Sequence, residues 1–309
     1  MALSSAVNSD RSFAIVTPSY LPDLSRCELL AESLDRTAPN ITHYIVVSQR
    51  EHAAFRHLKS NRRHLIHEEE ILGTRIRPIS NHHGFAVSSN ETPVAGWLIQ
   101  QILKVGIIKL VPERTMVFCD SDCAFFRPFG RDDLLVDDKI GLLDVDWQDD
   151  NTRRWTTIAR RLLGLPYVDG GYRNHVGSMI CWNRETVKLM QQRIEVATGM
   201  NWRTALALTG DFSEYTIYGV LVRELLSYAS VDHAPSTVPL VKLSYGITLD
   251  NLSAFESFFS HLDPRTVAVM VHSMDGVDPI LYRRYVEHLW KTHARRLETI
   301  PPSLENSKS

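Results

Sequence analysis

The sequence holds only four cysteines in 309 residues, Cys27, Cys119, Cys123 and Cys181, too few and too scattered for a disulfide framework. Cys119 and Cys123 have no second Cys or His pair at finger spacing, which argues against a structural zinc. No apolar run approaches the roughly 20 residues of a membrane-spanning helix. The first ten residues lack a basic stretch followed by a long apolar one, so no secretory signal is expected. Neither charge dominates, with 34 Lys+Arg against 36 Asp+Glu, and this speaks against nucleic-acid binding through bulk electrostatics. The Gly-rich fingerprints of P-loop and dinucleotide-binding proteins do not occur. These absences leave an ordinary globular α/β composition, long enough for a substantial core. A cytoplasmic location is expected, with peripheral attachment to an inner membrane through a partner left open.

What the sequence does have is Thr115-Met-Val-Phe-Cys-Asp-Ser-Asp-Cys-Ala-Phe-Phe-Arg-Pro-Phe129. Met116 to Cys119 reads as a short buried strand that stops at Asp120-Ser121-Asp122. Side chains alternate along an extended chain, so Asp120 and Asp122 are expected side by side at a strand's carboxyl end, where open α/β sheets bind ligands. Paired carboxylates repel unless a cation lies between them, and hard oxygen donors favour Mg²⁺ or Mn²⁺. A solvated turn accounts for the same three residues, and a second Asp-x-Asp, Asp144-Val-Asp146, follows Ile140–Leu143.

Taken in order, residues 1–11 read as a loose polar tail. Phe13–Val16 is a strand that opens into the loop Thr17-Pro-Ser-Tyr-Leu-Pro-Asp23. Helical spacing covers Leu24–Asp35, followed by a strand at Ile41–Val47, a helix around Glu51–Asn61 and a third strand at Leu65–Glu70. Strand, helix, strand at this spacing predicts a parallel sheet with crossover helices. Residues 73–95 read as loop and place His82-His83 on the surface. Gly96–Val111 is the clearest helix, with Gln100 and Lys104 on one face. A strand is expected at Ile140–Val145, an irregular aromatic stretch over 146–175, a strand at His175–Trp182 and a helix at Arg184–Ala197. A further helix opens at Asp211-Phe-Ser-Glu214 and runs to Tyr228, with Ser213 as N-cap. Val267–Ser273 is a late strand ending at His272. A closing helix spans Asp278 to about Leu297, and 299–309 is a polar tail.

Four features therefore follow one another: a strand ending in Thr-Pro-Ser-Tyr, a Trp-x-x-Gln-Gln-x-x-Lys helix, a strand ending in Asp-Ser-Asp-x-x-x-Phe-Arg-Pro, and a Glu-Tyr-x-x-Tyr-Gly helix. Over residues 12–275 this order resembles bacterial nucleotide-sugar glycosyltransferases of the GT-A type, and more narrowly a poorly characterised branch described only as a domain of unknown function. The resemblance implies a Rossmann-like, mostly parallel sheet flanked by helices. Residues 12–145 would form the nucleotide half and 146–298 the acceptor half of one domain. It implies Asp120 and Asp122 as the grip on a metal and diphosphate, with Mn²⁺ or Mg²⁺ as cofactor and His272 completing the metal shell. Thr17, Ser19, Tyr20 and Asp23 would hold base and ribose. Gln100, Gln101 and Lys104 would face the donor, Lys104 offsetting charge as the bond breaks. Glu214 or Asp211 would be the general base toward a glycan or other hydroxyl acceptor, with Asp144 and Asp146 as competitors.

Two other readings compete. In a haloacid-dehalogenase-type phosphohydrolase Asp120 would be a nucleophile, but that motif belongs on a first strand and continues with Gly-Thr or Val, whereas here Cys123-Ala-Phe follows. A non-catalytic binder of nucleotide or glycan would use the same fold without turnover.

Overall fold

The computed structural model describes residues 12–79, 84–244, 247–249 and 251–298, with the side chains of the last helix described to residue 292. The tails expected at 1–11 and 299–309 and the pair His82-His83 lie outside the described residues. Within them the chain is a mixed α/β protein. Its strands are β1 (Phe13–Pro18), β2 (Thr42–Val47), β3 (Arg63–His67), β4 (Ile76–Pro78), β5 (Phe85–Val87), β6 (Pro93–Val94), β7 (Thr115–Cys119), β8 (Cys123–Phe125), β9 (Leu135–Val136), β10 (Lys139–Leu143), β11 (Met179–Asn183), β12 (His233–Ser236), β13 (Val241–Leu243) and β14 (Ala268–Met270).

The central sheet has five strands in the order β11-β7-β1-β2-β3. β1 pairs in parallel with β2 and with β7, and β2 pairs in parallel with β3. β11 runs antiparallel against β7. The chain thus winds outward from β1 to β3, returns, and lays β7 on the opposite side of β1. That reversal is a topological switch point, and it opens a crevice at the carboxyl ends of β1 and β7. The strands are apolar on both faces because helices cover both, which is why they read as continuous runs rather than alternating ones. Trp182 of β11 is fully buried, stacked on Tyr218 with ring centroids 4.8 Å apart. Three smaller three-stranded sheets, β12-β10-β9, β13-β14-β8 and β4-β5-β6, sit around this core.

Several local expectations need correction. The third strand ends at His67, and Glu68–Leu72 is helical. His67 and Glu70 form a reciprocal capping box there, and three consecutive glutamates suit a helix start. The helix expected over 51–61 is only His52–Phe55 with a 3₁₀ turn to Leu58. The loop expected over 73–95 carries the small β4-β5-β6 sheet. The stretch expected to be irregular, 146–175, contains a helix at Asp150–Leu162. The Asp149 side chain caps it by accepting from Thr152 N at 2.7 Å. Its buried face is Thr152, Thr156, Ala159, Arg160 and Leu162, mostly too polar for hydrophobic periodicity to register. The helix Trp202–Thr209 also went unrecognised. The helix after Ser213 is α-helical only to Val220 and continues as a π-helix, Leu221–Leu226, ended by Ser227 at φ 66°. Two late strands are shorter than expected, β11 over Met179–Asn183 and β14 over Ala268–Met270. No described helix is long and apolar enough to cross a membrane.

Candidate active site

A cleft of about 950 Å³ opens at the carboxyl edge of the central sheet. That volume is typical of small-molecule and cofactor sites. Its floor is the β1 loop with Ser19, Tyr20 and Asp23, and one wall is the turn Asp120–Asp122 after β7. One face of the helix Gly96–Gly106 also lines the cleft, where Trp97, Gln100, Gln101 and Lys104 recur at i, i+3, i+4 and i+7. Trp97, though aromatic, is exposed at the cleft.

β7 ends at Cys119, and Asp120–Asp122 is a turn closed by Cys123 N donating to Asp120 O at 3.2 Å. A turn, not strand alternation, therefore brings the two carboxylates near each other. Asp122 is 5% exposed. Its Oδ2 accepts from Ser273 N at 2.9 Å, which ties the turn to the segment after β14. Its Oδ1 is buried with no hydrogen-bond partner among the described residues. Burial, and next the charge of Asp120, push the Asp122 carboxyl up to about 7. Asp23 is also raised by burial, and its Oδ2 accepts from Ser121 Oγ at 3.3 Å. Asp120 is the accessible member of the pair.

Lys104 is buried at the junction. Its Nζ lies 3.4 Å from Asp120 Oδ1, 3.2 Å from Glu214 Oε1 and 2.8 Å from the Tyr215 hydroxyl. Burial alone would lower its pKa; Tyr215, Asp120 and Glu214 together hold it well above the ordinary lysine value. The ammonium is thus a fixed cation facing the cleft. Glu214 sits behind it, 3% exposed, and burial raises its carboxyl while Lys104 opposes that. Glu214 N donates to Gln101 Oε1 at 3.0 Å, and Ser213 Oγ caps the helix by accepting from Thr216 N at 3.3 Å, as expected. The whole Glu-Tyr-x-x-Tyr-Gly motif acquires a reason. Glu214 and Tyr215 hold Lys104. Tyr218 stacks on Trp182 and bonds His233 Nε2 at 2.7 Å. Gly219 has no side chain because the His175 ring comes within 2.2 Å of where a Cβ would stand.

The residues expected at the site therefore divide. Ser19, Tyr20, Asp23, Gln100, Gln101, Lys104, Asp120, Asp122 and His272 all line the cleft. Thr17 does not: it is fully buried, its hydroxyl 3.0 Å from His43 Nε2 within the sheet. Asp211 bonds Arg154 and accepts from Trp155 Nε1 at 2.9 Å, outside the cleft. Glu214 is a buried partner of Lys104, so neither expected base lines the cleft. His272 Nδ1 accepts from Met274 N at 3.2 Å. In a neutral imidazole that places the proton on Nε2, which makes Nε2 a donor and not a metal ligand. Glu51, Glu68 and Glu69 also line the cleft and were not singled out by sequence, because Glu51 reads as a helix start and Glu68 and Glu69 as the end of a strand.

Residues 12–239 match the family of unknown function DUF6492. The chain belongs to that family. No curated protein matches the sequence. The DUF6492 region includes β1 through β12, hence the Asp120–Asp122 turn, Lys104 and Glu214, and stops short of His272 and Ser273. Among the described residues no three His, Cys, Asp or Glu side chains converge to hold a metal ion. The unpartnered Asp122 Oδ1 beside Asp120 nevertheless fits a hard cation that keeps water and takes phosphate oxygens as its remaining ligands.

Proposed function

We propose that the protein is a GT-A type, metal-dependent glycosyltransferase that moves a sugar from a nucleoside-diphosphate donor to a glycan or other hydroxyl acceptor. One observation carries the reading: an unpartnered buried carboxylate oxygen and a fixed ammonium face the same crevice at the switch point of a mostly parallel sheet. A nucleoside diphosphate leaves only if its growing negative charge is met. Asp120 and Asp122 are the residues that would hold Mn²⁺ or Mg²⁺. When bound, that ion supplies Lewis-acid neutralisation of the diphosphate. Lys104, held from behind by Glu214 and Tyr215, adds a preorganised positive charge that needs no rearrangement as the bond breaks. His272, through Nε2–H, donates to a phosphate oxygen. Ser19 and Asp23, both on the β1 loop, meet the nucleoside hydroxyls. The earlier resemblance to GT-A enzymes supports the same assignment.

The test is binding and slow hydrolysis of uridine, guanosine, thymidine and adenosine diphosphate sugars, with and without Mn²⁺, by wild type and Asp120→Asn/Asp122→Asn. The expected result is one donor bound and cleaved only with metal, and lost in the double variant. Absence of binding to every donor, or a variant that behaves as wild type, would remove the proposal.

A further inference from the structure

The Asp120–Asp122 turn occupies only one end of the cleft. The other end forms where β2 and β3 leave the sheet, and Arg50, Glu51 and Glu68 line it. In the order β7-β1-β2-β3 these ends are three strand spacings apart, ~14 Å. A proton acceptor for the incoming hydroxyl must stand within hydrogen-bond reach of that hydroxyl, beside the sugar carbon joined to the diphosphate. Glu68 is too distant for that task. It stands instead where the far end of an extended nucleoside falls. In doubly wound folds a carboxylate near the end of the second strand meets the ribose hydroxyls. Glu51 stands at that place, and Glu68 is one strand farther on.

Its neighbours are committed. Both carboxylate oxygens of Glu69 accept from Gln49 N, at 3.2 and 3.1 Å, and Glu70 Oε1 accepts from His67 N at 3.4 Å. Glu68 makes no hydrogen bond or ion pair among the described residues, although it is partly buried. Burial, then Glu69 and Glu51, push its carboxyl up to about 8. Its ionised form lacks donors, as a ligand-reading group does before its ligand arrives. Asp122 Oδ1, on a residue more than nine-tenths buried, lines the same cleft and also lacks a partner.

We propose that Glu68 reads the edge of the nucleotide base and selects guanine, so that the donor is a guanosine-diphosphate sugar; this rests on the transferase reading. Guanine presents two adjacent donors, N1–H and N2–H, which match the two oxygens of one carboxylate. Uracil and thymine place a single donor between two carbonyls. Adenine and cytosine place one donor beside a lone pair. A carboxylate meets repulsion from each of these. Guanine's two N–H groups offset the burial and the repulsion from Glu51 and Glu69 that oppose ionisation of Glu68. Arg50, at the end of β2 in the same wall, supplies the cation that suits guanine O6.

The test is calorimetric titration of GDP, UDP, ADP and CDP with Mn²⁺ into wild type, Glu68→Gln and Asp120→Asn/Asp122→Asn. Wild type should bind GDP about tenfold or more tighter than the others, and Glu68→Gln should lose about tenfold for GDP while leaving UDP within about twofold. Wild type binding UDP, ADP or CDP as tightly as GDP, or a Glu68→Gln variant with an unchanged GDP-to-UDP ratio, overturns the inference. Any diphosphate held by wild type and released by the double aspartate variant upholds the transferase reading whichever base wins. If no diphosphate binds, both fall.

Discussion

The chain contains the same three-residue pattern twice, and the two copies have opposite electrostatics. In Asp120-Ser-Asp122 the buried member keeps an oxygen without a partner and its carboxyl is pushed up to about 7. In Asp144-Val-Asp146 the buried member is saturated. Arg173 and the Tyr228 hydroxyl bond the Asp144 carboxylate, Arg173 also reaches Asp144 O at 2.9 Å, and Arg173 lies 3.6 Å from Asp146. Burial would raise Asp144, but the Tyr228 and Arg173 hydrogen bonds override it and hold the carboxyl below the usual range. Satisfied carboxylates hold a fold together, and unsatisfied ones are where a ligand gains most. Asp144 is thus held as a structural carboxylate, while Asp146 stays exposed beside Arg173.

The comparison can be broken most sharply at Arg173. Arg173→Ala should strand a buried carboxylate and cost roughly 3 kcal/mol of stability, read as a drop in the urea midpoint. It should also flatten the acid limb. A folded-state pKa below the unfolded one gives stability that is full above the usual carboxylate range and lost as pH falls through the folded value. In the first copy, Asp122→Asn should leave the metal-free fold at least as stable, yet weaken Mn²⁺-dependent nucleotide binding about a hundredfold, roughly 2.7 kcal/mol. Equal destabilisation by the two changes would erase the distinction.

The region beneath the second pair offers a pH test. His233 pairs with Ile140 of β10, and burial pushes it down to about 4 from 6.5. The unfolded chain binds more protons in that window, so stability present above pH 6.5 is lost as pH falls toward 4, on the order of 2 kcal/mol. Denaturation of wild type and His233→Gln at pH 7 and 4.5 checks it, the variant showing the smaller drop. The smallest effect is expected at Ser213→Ala, which removes the cap of the helix carrying Glu214 and costs about 1 kcal/mol. If Lys104 depends on that helix, donor hydrolysis should fall along with the melting temperature.

Much of this was legible in residues 12–119. Phe13–Pro18, Thr42–Val47 and Thr115–Cys119 are short, mostly apolar runs ended by Pro18, Ser48 and Asp120, and such runs read as strands. The four-residue spacing of Gln100 and Lys104 placed these two on one helix face. Glu214 was marked by its motif but not its role, since a carboxylate near a helix start reads alike whether it meets water or an ammonium. Thr17 read as a loop hydroxyl and is a buried partner of His43. The Asp150–Leu162 helix is hard to read from sequence because three of its five buried residues are threonine or arginine, with partners from elsewhere such as Glu224 to Arg160.

By itself the sequence determined the strand runs, the helix caps and the presence of two Asp-x-Asp turns, because these depend on neighbours within a few positions. Which turn keeps a carboxylate oxygen without a partner was decided only by the tertiary structure. Arg173 and Tyr228 reach Asp144 from 29 and 84 residues away, and Tyr215 reaches Lys104 from 111. Hydrogen-bond satisfaction depends on distance in space, and local preference carries no information about contacts so far apart along the chain.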